Sequence, residues 1–363
     1  MPDAIQNMVI SAYRIPTESL ESDGTLEWDS TTLVLVEVEG CGNKGLGYTY
    51  GDACIGDFID RRLKPRVIGK HPFDIGGIVA DLSASVRNEG QPGLSRMAIS
   101  AVDSALWDIK AKILGLPLCR LIGMVREQAM VYASGGFTSY TDERLAGQLG
   151  EWASEGFQYV KMKVGRQPES DVCRVGRARE AIGPNVSLFI DANGAYQKRT
   201  AMEQAYQFAR YSVSWFEEPV SSDDLAGLRE MRENAPAAMR VAAGEYAYTG
   251  DDFLRLLQTQ AVDVLQADAT RCGGITGLLE AGCLSEAFHT PFSFHCAPAL
   301  HLHAALCIPA FFIGEFFYDH VRIERLLFDG AGSPVKGMLS PDLSSPGLGL
   351  TFKTQDAAAY RIK

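Results

Sequence analysis

The sequence predicts an α/β fold in which eight βα units form a parallel barrel beside a smaller N-terminal domain. The 363 residues leave room for a barrel of about 250 residues and a second domain. From about residue 128, short apolar runs alternate with helix-length segments, which is typical of successive βα units. The count of eight runs favours a barrel, although an open doubly wound sheet has the same local pattern.

The N-terminal part has a different pattern, which predicts an antiparallel hairpin and a helix. Apolar and polar residues alternate from Thr31 to Glu39, and the glycine-rich stretch from Gly40 to Gly51 is expected to break the strand. Apolar residues then recur three and four positions apart from Ser95 to Leu114. This spacing predicts an amphipathic helix, and Gly115 and Pro117 supply its stop signal.

The apolar runs of the second part define the eight predicted barrel strands. The residues from Phe328 to Lys363 return to glycine, proline and short strand signals, so we expect them to rejoin the N-terminal domain. The predicted strands are Ala129 to Ser134, Tyr159 to Val164, Ser187 to Asp191, Ser214 to Glu217, Arg240 to Glu245, Val262 to Asp268, Phe292 to His295 and Phe311 to Glu315.

Composition excludes several classes of partner. There are 34 Lys and Arg residues against 45 Asp and Glu residues, so neither nucleic acid nor an anionic membrane surface is expected to bind. No apolar run approaches the roughly 20 residues of a membrane span, and the residues before Arg14 lack a secretory pattern, so we expect a cytoplasmic protein. The eight cysteines include no CxxC pair and are predicted to be reduced core thiols, with zinc binding as a remote alternative.

Three carboxylates stand at the ends of three consecutive predicted strands. Asp191, Glu217 and Glu245 are each about one βα unit apart, and barrels place their active sites at this edge. Converging carboxylates repel one another unless a cation intervenes, and Mg²⁺ prefers such oxygen ligands. The alternative is that each acid caps the following helix. Alternation cannot choose between Glu217 and Glu218, because the phase of the strand is unknown.

Basic groups end the neighbouring strands. Lys161 and Lys163 are two positions apart, so they point to the same face, where each would lower the pKa of the other and make a general base. The alternative is a lysine pair on an edge strand or at the solvated end of a strand. Asp268 and His295 end adjacent strands, so the carboxylate would orient the imidazole for proton transfer. Glu315 ends the eighth strand. The other histidines are expected to be structural, with metal ligation by His301 and His303 as a weakly signalled alternative: His71, His289, His301, His303 and His320.

In this order and at these spacings, the residues resemble the mandelate racemase subgroup of the enolase superfamily. The segment AISAVDSALWDIKAK resembles the capping-domain helix of that family, and RCGGITG after Asp268 resembles its sixth-strand loop. The resemblance implies a modified TIM barrel of the (βα)7β type with an α+β capping domain. It places the capping domain at residues 1–125, the barrel at 126–327, and a C-terminal segment that rejoins the cap at 328–363.

The resemblance also implies a role for each site residue. One Mg²⁺ per site would be held by Asp191, Glu217 and Glu245, with Glu217 selected because it is the first acid of the EEP motif. Lys163 would be the acid/base on one face of the substrate, and the His295–Asp268 dyad would act on the other. The substrate-binding residues would be Lys161, Asn193 near the metal, and a protonated Glu315 that donates a hydrogen bond.

The implied activity is abstraction of the proton next to a carboxylate to give an enediolate stabilised by Mg²⁺. Most members with this residue set resemble acid-sugar dehydratases, so we expect dehydration of an acid sugar to a 2-keto-3-deoxy acid. A racemase, epimerase or cycloisomerase is the alternative, and a non-catalytic sugar-acid-binding barrel is a remote one. Polar and aromatic residues at 17–28 and 48–60 suit a polyhydroxylated ligand, and the family resemblance implies a homo-oligomer.

Overall fold

The computed structural model describes residues 4–363 and contains a closed parallel barrel with an α+β region on its mouth. The predicted fold class is therefore confirmed. Each barrel strand pairs in parallel with the next strand along the chain, and the last strand pairs with the first, which excludes the open doubly wound sheet. The strands are β4 (Ala129–Gly135), β5 (Tyr159–Lys163), β6 (Ser187–Asp191), β7 (Val213–Glu217), β8 (Arg240–Ala243), β9 (Val264–Ala267), β10 (Phe292–Phe294) and β11 (Phe311–Phe317).

A helix follows each barrel strand and covers the outside of the barrel. Each strand is thereby buried on both faces, as expected for parallel sheets. No helix within residues 4–363 has the length and apolar character needed to cross a bilayer. The barrel helices are α6 (Asp142–Ser154), α7 (Pro168–Ile182), α8 (Lys198–Ala209), α9 (Leu225–Asn234), α10 (Gly250–Gln258), α11 (Gly274–Ala287), α12 (Pro298–Ala305) and α13 (Tyr318–Leu327).

Large side chains fill the lower part of the barrel interior. Tyr132, Phe189 and Trp215 lie together there, and the rings of Phe189 and Trp215 stack at a centroid distance of 4.9 Å. Ala242, Val264 and Ile313 belong to the same cluster. Because side chains alternate along a strand, the residues two positions after Phe189 and Trp215 also face inward, directly above this apolar plug.

The N-terminal region is a three-stranded antiparallel sheet with helices packed on one face. Its strands are β1 (Ile5–Ser22), β2 (Glu27–Gly40) and β3 (Asn43–Tyr50), in that order across the sheet. The predicted helix is present as α4, which packs on β2 and β3. The helices are α1 (Cys54–Phe58), a π-helical turn (Ile59–Leu63), α2 (Lys64–Val67), α3 (Ile75–Ser85), α4 (Leu94–Ile113) and α5 (Leu118–Ile122).

The glycine-rich stretch does not break the strand pattern as predicted, because Asn43–Tyr50 forms the third strand of the sheet. The glycines of β3 lie against the backbone of α4. A Cβ on Gly45 would lie 2.4 Å from the carbonyl oxygen of Ala105, and one on Gly47 would lie 2.3 Å from that of Ala101. The glycines therefore allow close contact between helix and sheet, which a reading of turn propensity alone misses.

The C-terminal residues contact both the sheet and the barrel. They form β12 (Phe328–Asp329), β13 (Met338–Leu339), β14 (Thr351–Phe352), α14 (Thr354–Ala357) and a 3₁₀ turn (Ala358–Tyr360). The β13 strand pairs with β4 of the barrel, whereas Arg361 forms an antiparallel bridge with Tyr13 of β1. The domain boundaries at residues 125 and 327 stay predictions.

All eight cysteines are free, as predicted, but their description as core thiols is wrong for three of them. Cys54, Cys173 and Cys283 are exposed on α1, α7 and α11. Their helices turn these positions towards solvent, and the spacing of cysteines along the chain carries no information about helix faces. Cys119, Cys272 and Cys296 are buried.

We expect Gly47→Ala to destabilise the protein, because the added methyl group would collide with the α4 backbone rather than with a flexible side chain. Overpacking of this kind costs about 1–3 kcal/mol. Gly76→Ala in α3 is the matched control, since its Cβ would meet nothing within 4 Å and alanine favours a helix. Urea unfolding of both variants provides the test, and equal free energies of unfolding for Gly47→Ala and the wild type would contradict the packing argument.

Candidate active site

The predicted site residues meet at the carboxyl-terminal mouth of the barrel. Five of them lie within strands: Lys161, Lys163, Asp191, Glu217 and Glu315. Three others lie one or two residues beyond the ends of β8, β9 and β10, so these strands end before the predicted residues Glu245, Asp268 and His295. All eight side chains are buried.

The phase of β7 places Glu217 inside the barrel. Glu217 lies two positions after Trp215 of the apolar plug, and its Oε2 accepts a hydrogen bond from the indole nitrogen of Trp215 at 3.0 Å. Glu218 follows the strand in a left-handed conformation, with φ of 37°. It is also buried, and burial together with the charge of Glu245 raises its pKa well above the usual range.

The three predicted metal ligands form one cluster. An oxygen atom from each of Asp191, Glu217 and Glu245 lies within 4.8 Å of the others. Burial and the neighbouring charge of Asp191 raise the pKa of Glu217 to about 8. The Oε2 atom of Glu245 has no hydrogen-bond partner among residues 4–363. The cluster therefore concentrates oxygen donors whose negative charge is only partly compensated.

The two lysines are enclosed by these carboxylates. Lys161 Nζ lies 2.6 Å from Glu217 Oε1 and 2.8 Å from Glu315 Oε1, and Lys163 Nζ lies 2.5 Å from Asp191 Oδ2. Lys161 does lower the pKa of Lys163, as predicted, but the predicted net lowering is wrong because other groups outweigh it. Burial favours the neutral amines, but the carboxylates outweigh it and raise the pKa of Lys161 and of Lys163 above the usual range.

His295 and Asp268 form a hydrogen-bonded pair. His295 Nδ1 lies 2.9 Å from Asp268 Oδ2, while Asp268 Oδ1 accepts from the Thr270 amide at 2.7 Å. Burial opposes the charged imidazole, but Glu245 and Asp268 raise the pKa of His295 above its usual value. With Nδ1 bound to Asp268, Nε2 is the ring atom that faces the site, 3.3 Å from Glu245 Oε2.

Glu315 is a carboxylate in this site, and the prediction that it is protonated is wrong. Although burial disfavours the charge, Lys161 and then His295 hold the pKa of Glu315 well below its usual value. Its oxygens accept hydrogen bonds from Ser134 Oγ at 2.6 Å and from the Cys296 amide at 2.9 Å. It is therefore an acceptor and ion-pair partner rather than a hydrogen-bond donor.

Asn193 lies beside the carboxylate cluster, as predicted. The backbone N–H of Asn193 donates to Asp191 Oδ1 at 2.8 Å. The backbone of Asn193 is left-handed, with φ of 46°, shortly after the end of β6. The side-chain Oδ1 of Asn193 is buried without a hydrogen-bond partner in the described part of the chain.

Sequence reasoning missed several groups that touch the site. Ser134 is the penultimate residue of the first barrel strand, so a search for polar residues near strand ends could have found it. Arg271 Nη1 lies 3.3 Å from Glu245 Oε1, and its Nε lies 3.7 Å from Asp268 Oδ2. Cys296 Sγ lies 3.2 Å from His295 Nε2. The sequence has no signal that distinguishes these last two residues from ordinary loop residues.

The buried histidines outside the dyad make structural contacts, in agreement with their predicted role. His301 Nδ1 bonds to the Ala297 carbonyl at 2.8 Å, and its Nε2 accepts from the Ala269 amide at 2.7 Å. His320 stacks on Tyr50 at a centroid distance of 3.6 Å. Burial lowers the pKa of His303 to about 4 and that of His320 to about 3, so both are neutral.

The N-terminal sheet reaches the edge of this mouth through the turn between β1 and β2. A Cβ on Gly24 would lie 2.4 Å from the Ala192 carbonyl oxygen and 2.8 Å from that of Val164, so the turn lies directly on the loops after β5 and β6. Asp23 Oδ1 stabilises the turn by accepting from the Thr25 amide at 2.6 Å. Most of the region 17–28 is strand, and its strand residues contact the barrel as well, for example through the Ser22 and Thr138 hydroxyls at 2.6 Å.

Two family profiles match this chain. The profile described as "Enolase C-terminal domain-like" matches residues 144–357, and that of the mandelate racemase / muconate lactonizing enzyme N-terminal domain matches residues 22–123. The chain belongs to the mandelate racemase family of the enolase superfamily. The ordered set of strand-end residues thus led to the correct family.

Characterised members of the mandelate racemase family resemble the chain over most of its length. The D-galactarolactone cycloisomerase of Agrobacterium fabrum is 31% identical over 358 residues, which cover 93% of each chain. The L-talarate/galactarate dehydratase of Salmonella typhimurium is 31% identical over 294 residues, which cover 79% of this chain and 72% of the relative. The relatives of this chain thus include both dehydratases and cycloisomerases.

Solved structures of the mandelate racemase family superpose closely. A mandelate racemase/muconate lactonizing enzyme-like protein from Rubrobacter xylanophilus is 49% identical, with a TM-score of 0.97 and 99% of both chains covered. The Salmonella dehydratase, crystallised with Mg and L-lyxarohydroxamate, has a TM-score of 0.91 at 26% identity, with 99% of this chain and 93% of that chain covered.

Proposed function

We propose that the protein is a Mg²⁺-dependent dehydratase that converts an acid sugar into a 2-keto-3-deoxy acid. The observation that carries the proposal is the placement of two proton carriers on either side of a carboxylate cluster at one barrel mouth. Lys163 lies on β5, whereas His295 follows β10, so the two approach from different parts of the ring of strands. Such a pair can act on opposite faces of one bound carbon acid.

The carboxylate cluster fits Mg²⁺. Asp191, Glu217 and Glu245 offer only hard oxygen donors, and the raised pKa of Glu217 reflects burial and repulsion from Asp191 that a cation would relieve. We assign these three residues as the ligands of one Mg²⁺ per site. When bound, the ion supplies positive charge that stabilises the enediolate oxygens of the substrate.

Lys163 is assigned as the base that removes the proton next to the substrate carboxylate. A base must be neutral, and the carboxylate of Asp191 is the main group that holds the pKa of Lys163 high. When Asp191 shares its charge with a cation, this influence weakens and the amine can release its proton. Lys163 therefore depends on the occupied cluster for its activity.

Lys161 is assigned to the substrate carboxylate. It is completely buried and remains an ammonium ion, so it can stabilise negative charge that develops on the substrate. Glu315 cannot donate a proton as a carboxylate. We assign it instead to holding Lys161, through the 2.8 Å ion pair, in the position that meets the substrate.

His295 is assigned as the acid that completes the elimination. Its raised pKa favours the imidazolium ion, and Asp268 holds Nδ1 so that the Nε2 proton points into the site. Lys163 accepts the α-proton, and the electrons of that C–H bond form the enediolate. These electrons then expel the β-hydroxyl, which leaves as water with the proton from His295, and the resulting enol becomes the 2-keto acid.

A cycloisomerase is the second candidate, because the Agrobacterium relative with that activity matches 93% of the chain. The same enediolate would form, but the departing oxygen would stay attached to the substrate. Both candidates require a small acid sugar and the same set of side chains.

A screen of aldonic, uronic and aldaric acids with Mg²⁺ tests the reaction. We expect at least one acid to yield a 2-keto-3-deoxy product, detected by its carbonyl chemistry and by mass loss of one water. Lactones of the same acids serve as the cycloisomerase arm. No 2-keto-3-deoxy product from any acid would rule out the dehydratase, and solvent deuterium at the α-carbon without elimination would favour epimerisation.

Two variants test the assigned proton carriers on whichever substrate the screen identifies. Lys163→Ala and His295→Asn should each lower kcat/KM by about 10²- to 10⁴-fold, the usual contribution of a general acid or base. Their controls are Lys198→Ala and His289→Asn, which change exposed residues outside the site. Circular dichroism should show an unchanged fold. Activity close to that of the wild type in Lys163→Ala or His295→Asn would overturn that residue's role.

Thermal unfolding tests the metal ligands. Mg²⁺ added to metal-stripped protein should raise the Tm, because a ligand that binds only the folded state stabilises it, by about 2.7 kcal/mol at 100 times Kd. Asp191→Asn should lose most of this shift, whereas Asp342→Asn, in a C-terminal surface loop, should keep it. If Mg²⁺ does not change the Tm of the wild type, the non-catalytic sugar-acid-binding alternative gains support.

A further inference from the structure

A second group of metal-ligating side chains lies at the barrel mouth beside the carboxylate cluster, with His295 Nε2 3.3 Å from Glu245 Oε2. It consists of His295, Cys296 and Glu315. Cys296 Sγ lies 3.2 Å from His295 Nε2 and 3.4 Å from Glu315 Oε2, and the latter two atoms are 3.7 Å apart. All three residues are at most 5% exposed.

The backbone after β10 brings these side chains together. Successive residues of a strand point to opposite faces, so the side chains of His295 and Cys296 would point away from each other in an extended chain. The strand ends at Phe294, and Cys296 and Ala297 adopt left-handed conformations with φ of 51° and 37°. This turn directs the thiol to the imidazole, and the Cys296 amide donates to Glu315 Oε2.

The separations of the three donor atoms match those of a tetrahedral metal site. Zinc bonds of about 2.0–2.3 Å to N, O and S at tetrahedral angles place neighbouring donor atoms about 3.3–3.6 Å apart. The observed separations of 3.2, 3.4 and 3.7 Å lie around this range. A cation could therefore be bound with only small movements of the side chains.

The surrounding contacts orient the donors as they do in zinc sites. Asp268 binds His295 Nδ1 at 2.9 Å, so Nε2 is the nitrogen available to a metal, and carboxylates commonly orient zinc-binding histidines in this way. Lys161 and Ser134 hold Glu315 Oε1, which leaves Oε2 directed at Cys296. The fourth position of a tetrahedron remains for water.

We propose that His295, Cys296 and Glu315 bind a thiophilic divalent cation of the Zn²⁺ or Cd²⁺ type, and that this cation inhibits the enzyme. The sulfur ligand selects such cations over Mg²⁺, which prefers oxygen. Binding converts the Cys296 thiol to a metal-bound thiolate and removes the Nε2 proton of the His295 imidazolium, and both protons pass to solvent. The cation occupies Nε2 of His295, so the imidazole cannot carry a proton. Only the inhibition rests on the proposed function; the binding does not.

Cadmium titration of the Mg²⁺-saturated protein tests the binding, because a Cd²⁺–thiolate bond produces an ultraviolet charge-transfer band. We expect one equivalent of Cd²⁺ to produce a band in the wild type that is missing in Cys296→Ser. Cys272→Ser is the matched control, since Cys272 is equally buried but lies outside the cluster, and it should keep the band. Subtracting the Cys296→Ser spectrum from the wild-type spectrum removes any contribution of the exposed thiols. A band of equal intensity in Cys296→Ser would overturn the site. Loss of the wild-type band in excess Mg²⁺ would also overturn it.

A crystal of the wild-type protein soaked in Cd²⁺ gives a second measurement, which does not depend on the folding of a variant. An anomalous peak within bonding distance of Cys296 Sγ and His295 Nε2 is the expected result, and no peak there would refute the proposal.

The inhibition is tested as the ratio of turnover with and without Cd²⁺. That ratio should fall at least about tenfold further in Cys272→Ser than in Cys296→Ser. A fully active Cd²⁺-loaded enzyme would refute the inhibition. The binding and the dehydratase activity would still be judged by their own experiments.

Discussion

The buried ammonium group of Lys161 is the interaction on which the barrel mouth depends. It forms ion pairs with Glu217 and Glu315, and its Nζ also lies 3.5 Å from Asp191 Oδ2. Removing one partner of a buried ion pair typically costs about 3–5 kcal/mol, because it leaves an uncompensated charge. Here a single cation compensates carboxylates from three different strands. Lys161 therefore joins β6, β7 and β11 electrostatically across the interior of the barrel.

The apolar plug under Lys161 determines how these charges are arranged. Tyr132, Phe189 and Trp215 close the lower barrel, so the charged groups above them are shielded from solvent on that side. The plug also contributes directly: the Trp215 indole donates to Glu217, and the Tyr132 hydroxyl lies 3.4 Å from Lys161 Nζ. The low polarity of the plug strengthens the ion pairs above it, and the hydrogen bonds from its surface fix their geometry.

The order of the strands and most site residues could be predicted, because the carboxyl ends of parallel strands must meet at one edge. Strand alternation could not choose between Glu217 and Glu218, since Trp215 and Phe216 are both apolar and buried, and only the family resemblance selected Glu217. The charge states of Lys163 and Glu315 were predicted wrongly because each depends on every neighbour within a few ångströms. The strand formed by Gly45 and Gly47 depends on a helix that follows some 50 residues later.

Asp108 of α4 connects parts of the chain that are far apart in sequence. Its carboxylate accepts hydrogen bonds from the Leu46 amide of β3 at 2.8 Å and from the Leu348 amide near the C-terminus at 2.7 Å. Such long-range closure is slow relative to local folding. Asp108 is therefore fully hydrogen-bonded only when β3, α4 and the segment around residue 348 have come together. The C-terminal segment thus helps to stabilise the N-terminal region, although the whole barrel separates the two along the chain.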